Sequence, residues 1–218
     1  MATTSRSRRT KLDGVLLTPG AGSGRDHHTL VALEKALAPR PVARVDFPYR
    51  RAGRRAPDRQ PVLVQCVRDE AAAFALEHGL KPRNIVLGGR SMGGRMCSIA
   101  VAEGTPAAGL VLISYPLHPP GKPDTLRTEH FPAVTVPCLF VSGDRDPFGT
   151  PDEVESATRA IAGPVTHVWI TGGRHDLGRV DDRIIDAVRA WTDATFTRAP
   201  VSRSKGRSGP VSRSGPRS

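Results

Sequence analysis

At 218 residues the chain is long enough for one domain with a substantial core and too short for two comfortable ones. Its net charge of +11 is concentrated at the ends: residues 1–11 carry +4 and residues 198–218 carry +6, with no acidic residue in either stretch. That leaves +1 for residues 12–197, a distribution that predicts solvated basic arms and no specific nucleic-acid surface.

No apolar run approaches the length of a membrane span, and the N-terminus lacks an apolar signal-peptide core. Cys66, Cys97 and Cys138 form no CxxC pair and no metal-ligand cluster, and each lies in an apolar pattern. Buried free thiols, a reducing cytoplasmic location and no membrane partner are the corresponding expectations.

In chain order, residues 1–11 are expected to form a disordered arm, with the folded domain over 12–197. A strand at 13–18 leads into the glycine-rich loop Thr18-Pro19-Gly20-Ala21-Gly22-Ser23-Gly24. A helix at 27–38 and a strand at 42–47 follow. Next comes an arginine-rich loop at 48–60, expected to border a pocket through Tyr49. The pattern continues with a helix at 61–79, a strand at 84–88, a helix at 91–103 and a strand at 109–114. A proline-rich loop over 116–135, carrying His118, is a second expected pocket wall. The domain closes with strands at 137–142 and 165–170 around a helix at 152–162, then a helix at 179–196. This last helix places Val180, Ile184, Ile185, Val188 and Trp191 at near 3–4 spacing. The tail at 198–218 repeats Pro-Val-Ser-Arg-Ser at 200–204 and 210–214. It has too little apolar surface to offset the entropy of ordering it, so disorder is expected there too.

Most strands read as near-continuous apolar runs alternating with helices. That is the pattern of a doubly wound, mostly parallel α/β sheet of about six strands covered on both faces. Function in such sheets gathers on loops beyond the C-terminal ends of the strands. There the stretch Gly89-Arg90-Ser91-Met92-Gly93 matches G-x-S-x-G between a predicted strand and a predicted helix. The match makes Ser91 a candidate nucleophile; the alternative is a serine that only caps the helix. A hydroxyl needs a base, and in this motif's usual setting the chain order is serine, acid, histidine. His175 follows the final strand in Thr171-Gly172-Gly173-Arg174-His175-Asp176 and is the candidate base. The acid is Asp144 or Asp146, both after the strand at 137–142, with Asp146 favoured because it lies further into its loop and reaches across more readily. Backbone N–H groups of Met92 and Ala21 are candidates for holding a developing oxyanion. Arg90 stands next to the serine as a candidate contact for substrate. Only 54 residues separate Ser91 from Asp146, which leaves no room for a large cap.

At these residues the chain resembles a family within the α/β-hydrolase superfamily that includes testis-expressed protein thirty and the third subunit of the chromatin non-specific-lethal complex. The matching stretches are LLTPGAGSGRDHH (16–28), RVDFPYR (44–50), NIVLGGRSMGGR (84–95), LVLISYPLHPPGKPDTLR (110–127), PCLFVSGDRDPFG (137–149) and GGRHDL (172–177). The chain is similar, more distantly, to dienelactone hydrolases. The resemblance implies Ser91, Asp146 and His175 as a triad on a parallel sheet without a large lid, and a serine-hydrolase reading predicts attack on an ester or thioester carbonyl of a small acyl substrate, with no cofactor or metal required. One departure is that Pro19-Gly20 stands where such hydrolases often carry His-Gly. Two rival readings are a catalytically silent interaction module on the same fold and a dinucleotide-binding domain. The second would use the Gly20–Gly24 loop for phosphates and Asp46 for a ribose, although Arg25 replaces the third glycine of G-x-G-x-x-G.

Overall fold

Aliphatic runs form the centre of the structure, a computed structural model that describes residues 11–196. Six strands are present among the described residues: β1 (Gly14–Thr18), β2 (Val42–Arg44), β3 (Ile85–Arg90), β4 (Gly109–Ile113), β5 (Cys138–Gly143) and β6 (Val165–Ile170). They form one sheet in the order β2-β1-β3-β4-β5-β6, and every neighbouring pair is parallel. Among the described residues six α-helices connect and follow them: α1 (His28–Leu37), α2 (Pro48–Arg51), α3 (Gln60–Glu77), α4 (Met92–Ala102), α5 (Pro151–Thr158) and α6 (Asp181–Phe196).

Successive side chains of a strand leave opposite faces, so each inner strand feeds two apolar layers. Leu16, Leu87, Leu112 and Phe140 enter one layer, closed by Val67 and Phe74 of α3, Met96 of α4 and Val154 of α5. Val15, Val86, Val111 and Val141 enter the other, closed by Leu30 and Leu33 of α1 and by Ile184, Val188 and Trp191 of α6. The doubly wound, parallel, six-stranded sheet is therefore the observed architecture, and among the described residues no large cap covers its C-terminal edge. The expected arms lie outside the described residues, except for Lys11, whose ammonium pairs with Asp13 at 2.7 Å. Cys66, Cys97 and Cys138 are buried free thiols.

Three differences from the predicted elements have physical causes. β2 stops at Arg44 rather than 47, because the Asp46 carboxylate accepts the Arg25 N–H at 2.7 Å and Phe47 begins α2 as its N-cap. The expected loop at 48–60 starts with α2, one helical turn opened by Pro48, whose fixed φ suits a first helical position. β2 and β6 are the sheet's edges and are only partly buried, unlike the inner strands, which are buried throughout except at Arg90 at the end of β3.

β1 lies between β2 and β3, so the chain leaves β1 toward one side of the sheet and later returns to its other side. The loops that follow β1 and β3 diverge at this switch point, and a crevice opens between them.

Candidate active site

β3 runs into the crevice and ends at Arg90, and Ser91 then turns the chain into α4 with φ 50° and ψ −120°. A residue with a Cβ holds such a conformation only when its surroundings determine it. Here the Ser91 N–H donates to the Ile113 carbonyl at 2.8 Å and its own carbonyl accepts from Arg95 N–H at 3.1 Å. The turn also brings α4 against the end of β1. A Cβ placed on Gly93 would lie 2.5 Å from the Pro19 carbonyl oxygen and 2.7 Å from that of Thr18. Only glycine fits that close approach. Met92 is the first residue of α4, so its N–H is among the first-turn amides that have no acceptor within the helix and that carry its positive dipole end.

The acid and the histidine arrive on neighbouring strands, β5 and β6. Their loops are joined by the Arg145 N–H donating to the Gly173 carbonyl at 2.9 Å. The Gly172 N–H donates to the Asp144 carboxylate at 2.7 Å. A Cβ on Gly143 would meet the Gly173 carbonyl oxygen at 2.1 Å, so this seam also depends on a missing side chain. The result is a continuous relay. Ser91 Oγ lies 2.8 Å from His175 Nε2, and His175 Nδ1 lies 2.8 Å from Asp146 Oδ2 and 3.0 Å from Oδ1. Asp146 is 3% exposed and also accepts the Phe148 N–H at 2.9 Å. With Nδ1–H donating to that buried carboxylate, Nε2 carries the lone pair that accepts the serine proton. The Phe148 ring packs on the imidazole with centroids 4.0 Å apart and restricts its rotation.

The loop after β1 forms the opposite wall. A Cβ on Gly20 would lie 3.5 Å from the Ser91 Cβ, and Ala21, Gly22 and Ser23 line the same cleft of about 460 Å³. His27, Arg90, Phe148 and His175 complete the lining. The structure thus brings Ser91, Asp146, His175, Ala21, Met92 and Arg90 to one end of the sheet. Asp144, the other candidate acid, is engaged with Gly172 instead.

Tyr49 and His118 are elsewhere, which corrects the expectation that they border the pocket. Tyr49 has no exposed surface, and its hydroxyl donates to the Ala21 carbonyl at 2.9 Å, fastening the loop from behind. His118 is 5% exposed; its Nδ1 bonds to the Pro119 carbonyl at 2.9 Å and its Nε2 lies 3.5 Å from the Glu153 carboxylate. Sequence reading passed over His27 and Phe148 as cleft residues. Phe148 was legible two positions after Asp146, where its amide reaches back to the carboxylate; His27 was legible only as the last residue before α1. Among the described residues no group of three or more His, Cys, Asp or Glu side chains is placed to hold a metal ion. The ribose-binding role open to Asp46 is occupied by the loop itself, through the bond to Arg25.

The fold recurs in known proteins. A family described as "Alpha/beta hydrolase domain" matches residues 11–195. Among solved structures, a serine hydrolase without a lid from Xanthomonas campestris aligns with a TM-score of 0.68 and 16% identity, over 89% of this chain and 87% of that one. A dienelactone hydrolase from Anabaena variabilis aligns with a TM-score of 0.67 and 18% identity, over 85% and 88%. Est1E from Butyrivibrio proteoclasticus aligns at 0.65 and 14%, over 87% and 90%. At these identities the likeness is one of fold.

Proposed function

Because the chain belongs to the alpha/beta hydrolase family, we propose that it is a serine hydrolase that cleaves carboxylic esters or thioesters through an acyl-enzyme. The observation that carries this reading is the unbroken relay from Ser91 Oγ through His175 to the buried Asp146. As Ser91 Oγ attacks the acyl carbon, His175 Nε2 takes the hydroxyl proton, and Asp146 holds the imidazole tautomer and stabilises the imidazolium. The Met92 and Ala21 amides receive the oxyanion. The imidazolium then gives its proton to the departing alcohol or thiol. A water, deprotonated by the same nitrogen, attacks the acyl-enzyme, and its proton returns to Ser91 as the acid leaves. The finer placement beside the testis-expressed protein thirty group, and a cytoplasmic location, belong to the same proposal. The quoted motifs support the first, and three buried free thiols support the second.

Labelling with a fluorophosphonate probe tests the reading. The folded wild-type protein should take one label, and Ser91→Ala none, with ester turnover falling by at least about a thousandfold. A wild-type protein that takes no label and turns over no ester would instead indicate a silent module on this fold.

A further inference from the structure

Beside the serine stands a cation without a carboxylate. Arg90 lines the cleft, partly buried, and its Nη2 donates to the His175 carbonyl at 3.0 Å. Among the described residues it makes no ion pair. The three acids whose fields reach it are already engaged. Asp146 holds His175 and the Phe148 N–H, Asp181 holds His28 at 2.7 Å and Thr29 at 2.8 Å, and Asp176 accepts the Gly178 N–H at 3.3 Å. Burial pushes the guanidinium's pKa down, with those distant carboxylates acting the other way. A guanidinium has five N–H donors, and a partly desolvated one with a single neutral acceptor is an incomplete arrangement.

His27 shares that cleft. Its Nδ1 accepts the Thr29 N–H at 3.3 Å, so the neutral ring carries its proton on Nε2, a donor with no hydrogen-bond partner among the described residues. Burial and the neighbouring Arg90 charge hold its pKa near 4, which keeps it neutral beside the arginine.

Resting on the hydrolase reading, we infer that Arg90, helped by His27, binds a carboxylate on the substrate, so that the preferred substrates are small esters or thioesters bearing a free acid group. A single guanidinium charge balances one carboxylate, whereas a phosphate dianion would bring surplus negative charge toward Asp146, Asp176 and Asp181. The cleft volume, about 460 Å³, suits a small molecule.

Two matched pairs test this. Mono-p-nitrophenyl adipate against p-nitrophenyl hexanoate puts the charge on the acyl side, and 4-acetoxybenzoate against phenyl acetate puts it on the leaving side. In at least one pair the wild-type kcat/KM should favour the acid about ten- to a hundredfold, the range of a charge-assisted hydrogen bond. Arg90→Met should collapse that ratio to about one, and Arg90→Lys should restore it in part. If Arg90 merely held the His175 loop, Arg90→Met would slow both members alike and leave the ratio standing, which would overturn the inference. No preference in either pair, in a protein that takes the fluorophosphonate label, would also overturn it while leaving the hydrolase reading intact. A protein that neither labels nor turns over any of the four esters would remove both.

Discussion

His175 can act only if its ring is held in one orientation and one tautomer, and two contacts do that: the Asp146 carboxylate at Nδ1 and the Phe148 ring on its face. Removing the charge at Asp146 allows the opposite tautomer, with Nε2–H facing the serine, so Asp146→Asn should lower kcat about 10³- to 10⁴-fold. Circular dichroism should show the fold retained. Asp144 is chemically identical and two residues away, yet its carboxylate accepts the Gly172 N–H and not His175. Asp144→Asn should therefore lower kcat by less than about tenfold and act mainly on the stability of the loop seam, by about 1–2 kcal/mol. The contrast between the two variants, measured in one ester assay, checks the assignment of the acid. The ambiguity between them was intrinsic to the sequence, since Gly143-Asp144-Arg145-Asp146 offers both carboxylates in the same loop. Which one turns toward residue 175 depends on the neighbouring strand.

Among the elements, the strand-to-helix turn at β3 and α4 demands most of its residues. It packs a helix start against the carbonyls that end β1, and the separation leaves no space for a methyl group at Gly93. Alanine is favoured over glycine within a helix by about 1 kcal/mol, but here its Cβ would press on backbone oxygens that cannot rotate away. Gly93→Ala should thus be net destabilising by about 1–3 kcal/mol, read as a lower urea midpoint at unchanged slope. Ester turnover should also fall, because Ser91 loses its fixed position. The glycines of G-x-S-x-G made this element legible without coordinates: their spacing around the serine states the steric requirement directly. α2 was not legible, because a single turn has no periodicity. Its purpose is tertiary, to lay the buried Tyr49 hydroxyl behind Ala21.

At the scale of the molecule, partial burial holds His27 and His130 neutral, and this shapes the response to acid. Burial first, then the charges of Arg90 and Arg95 respectively, lower His27 and His130 from the ordinary 6.5 to about 4. Between those values the unfolded chain binds more protons than the folded one, so the contribution is complete above about pH 6.5 and is lost as the pH falls toward 4. The thermal midpoint should decline across that window, and His130→Gln should flatten the decline; an unchanged slope would show that His130 is not held neutral. None of this was readable from seven histidines in a list of residues, since burial and neighbouring charge come from packing. Aliphatic runs alternating with helical patterns determined by themselves the parallel, doubly wound sheet, because backbone pleat and helical period impose those patterns locally. The same local constraints revealed Ser91 at a sharp turn, and chain order pointed to His175. Tertiary structure alone decided which aspartate completes the relay, that the Tyr49 and His118 side chains are buried outside the cleft lining, and that Arg90 and His27 line it. Those outcomes depend on distances between loops of different strands, and such distances exist only once the sheet has assembled.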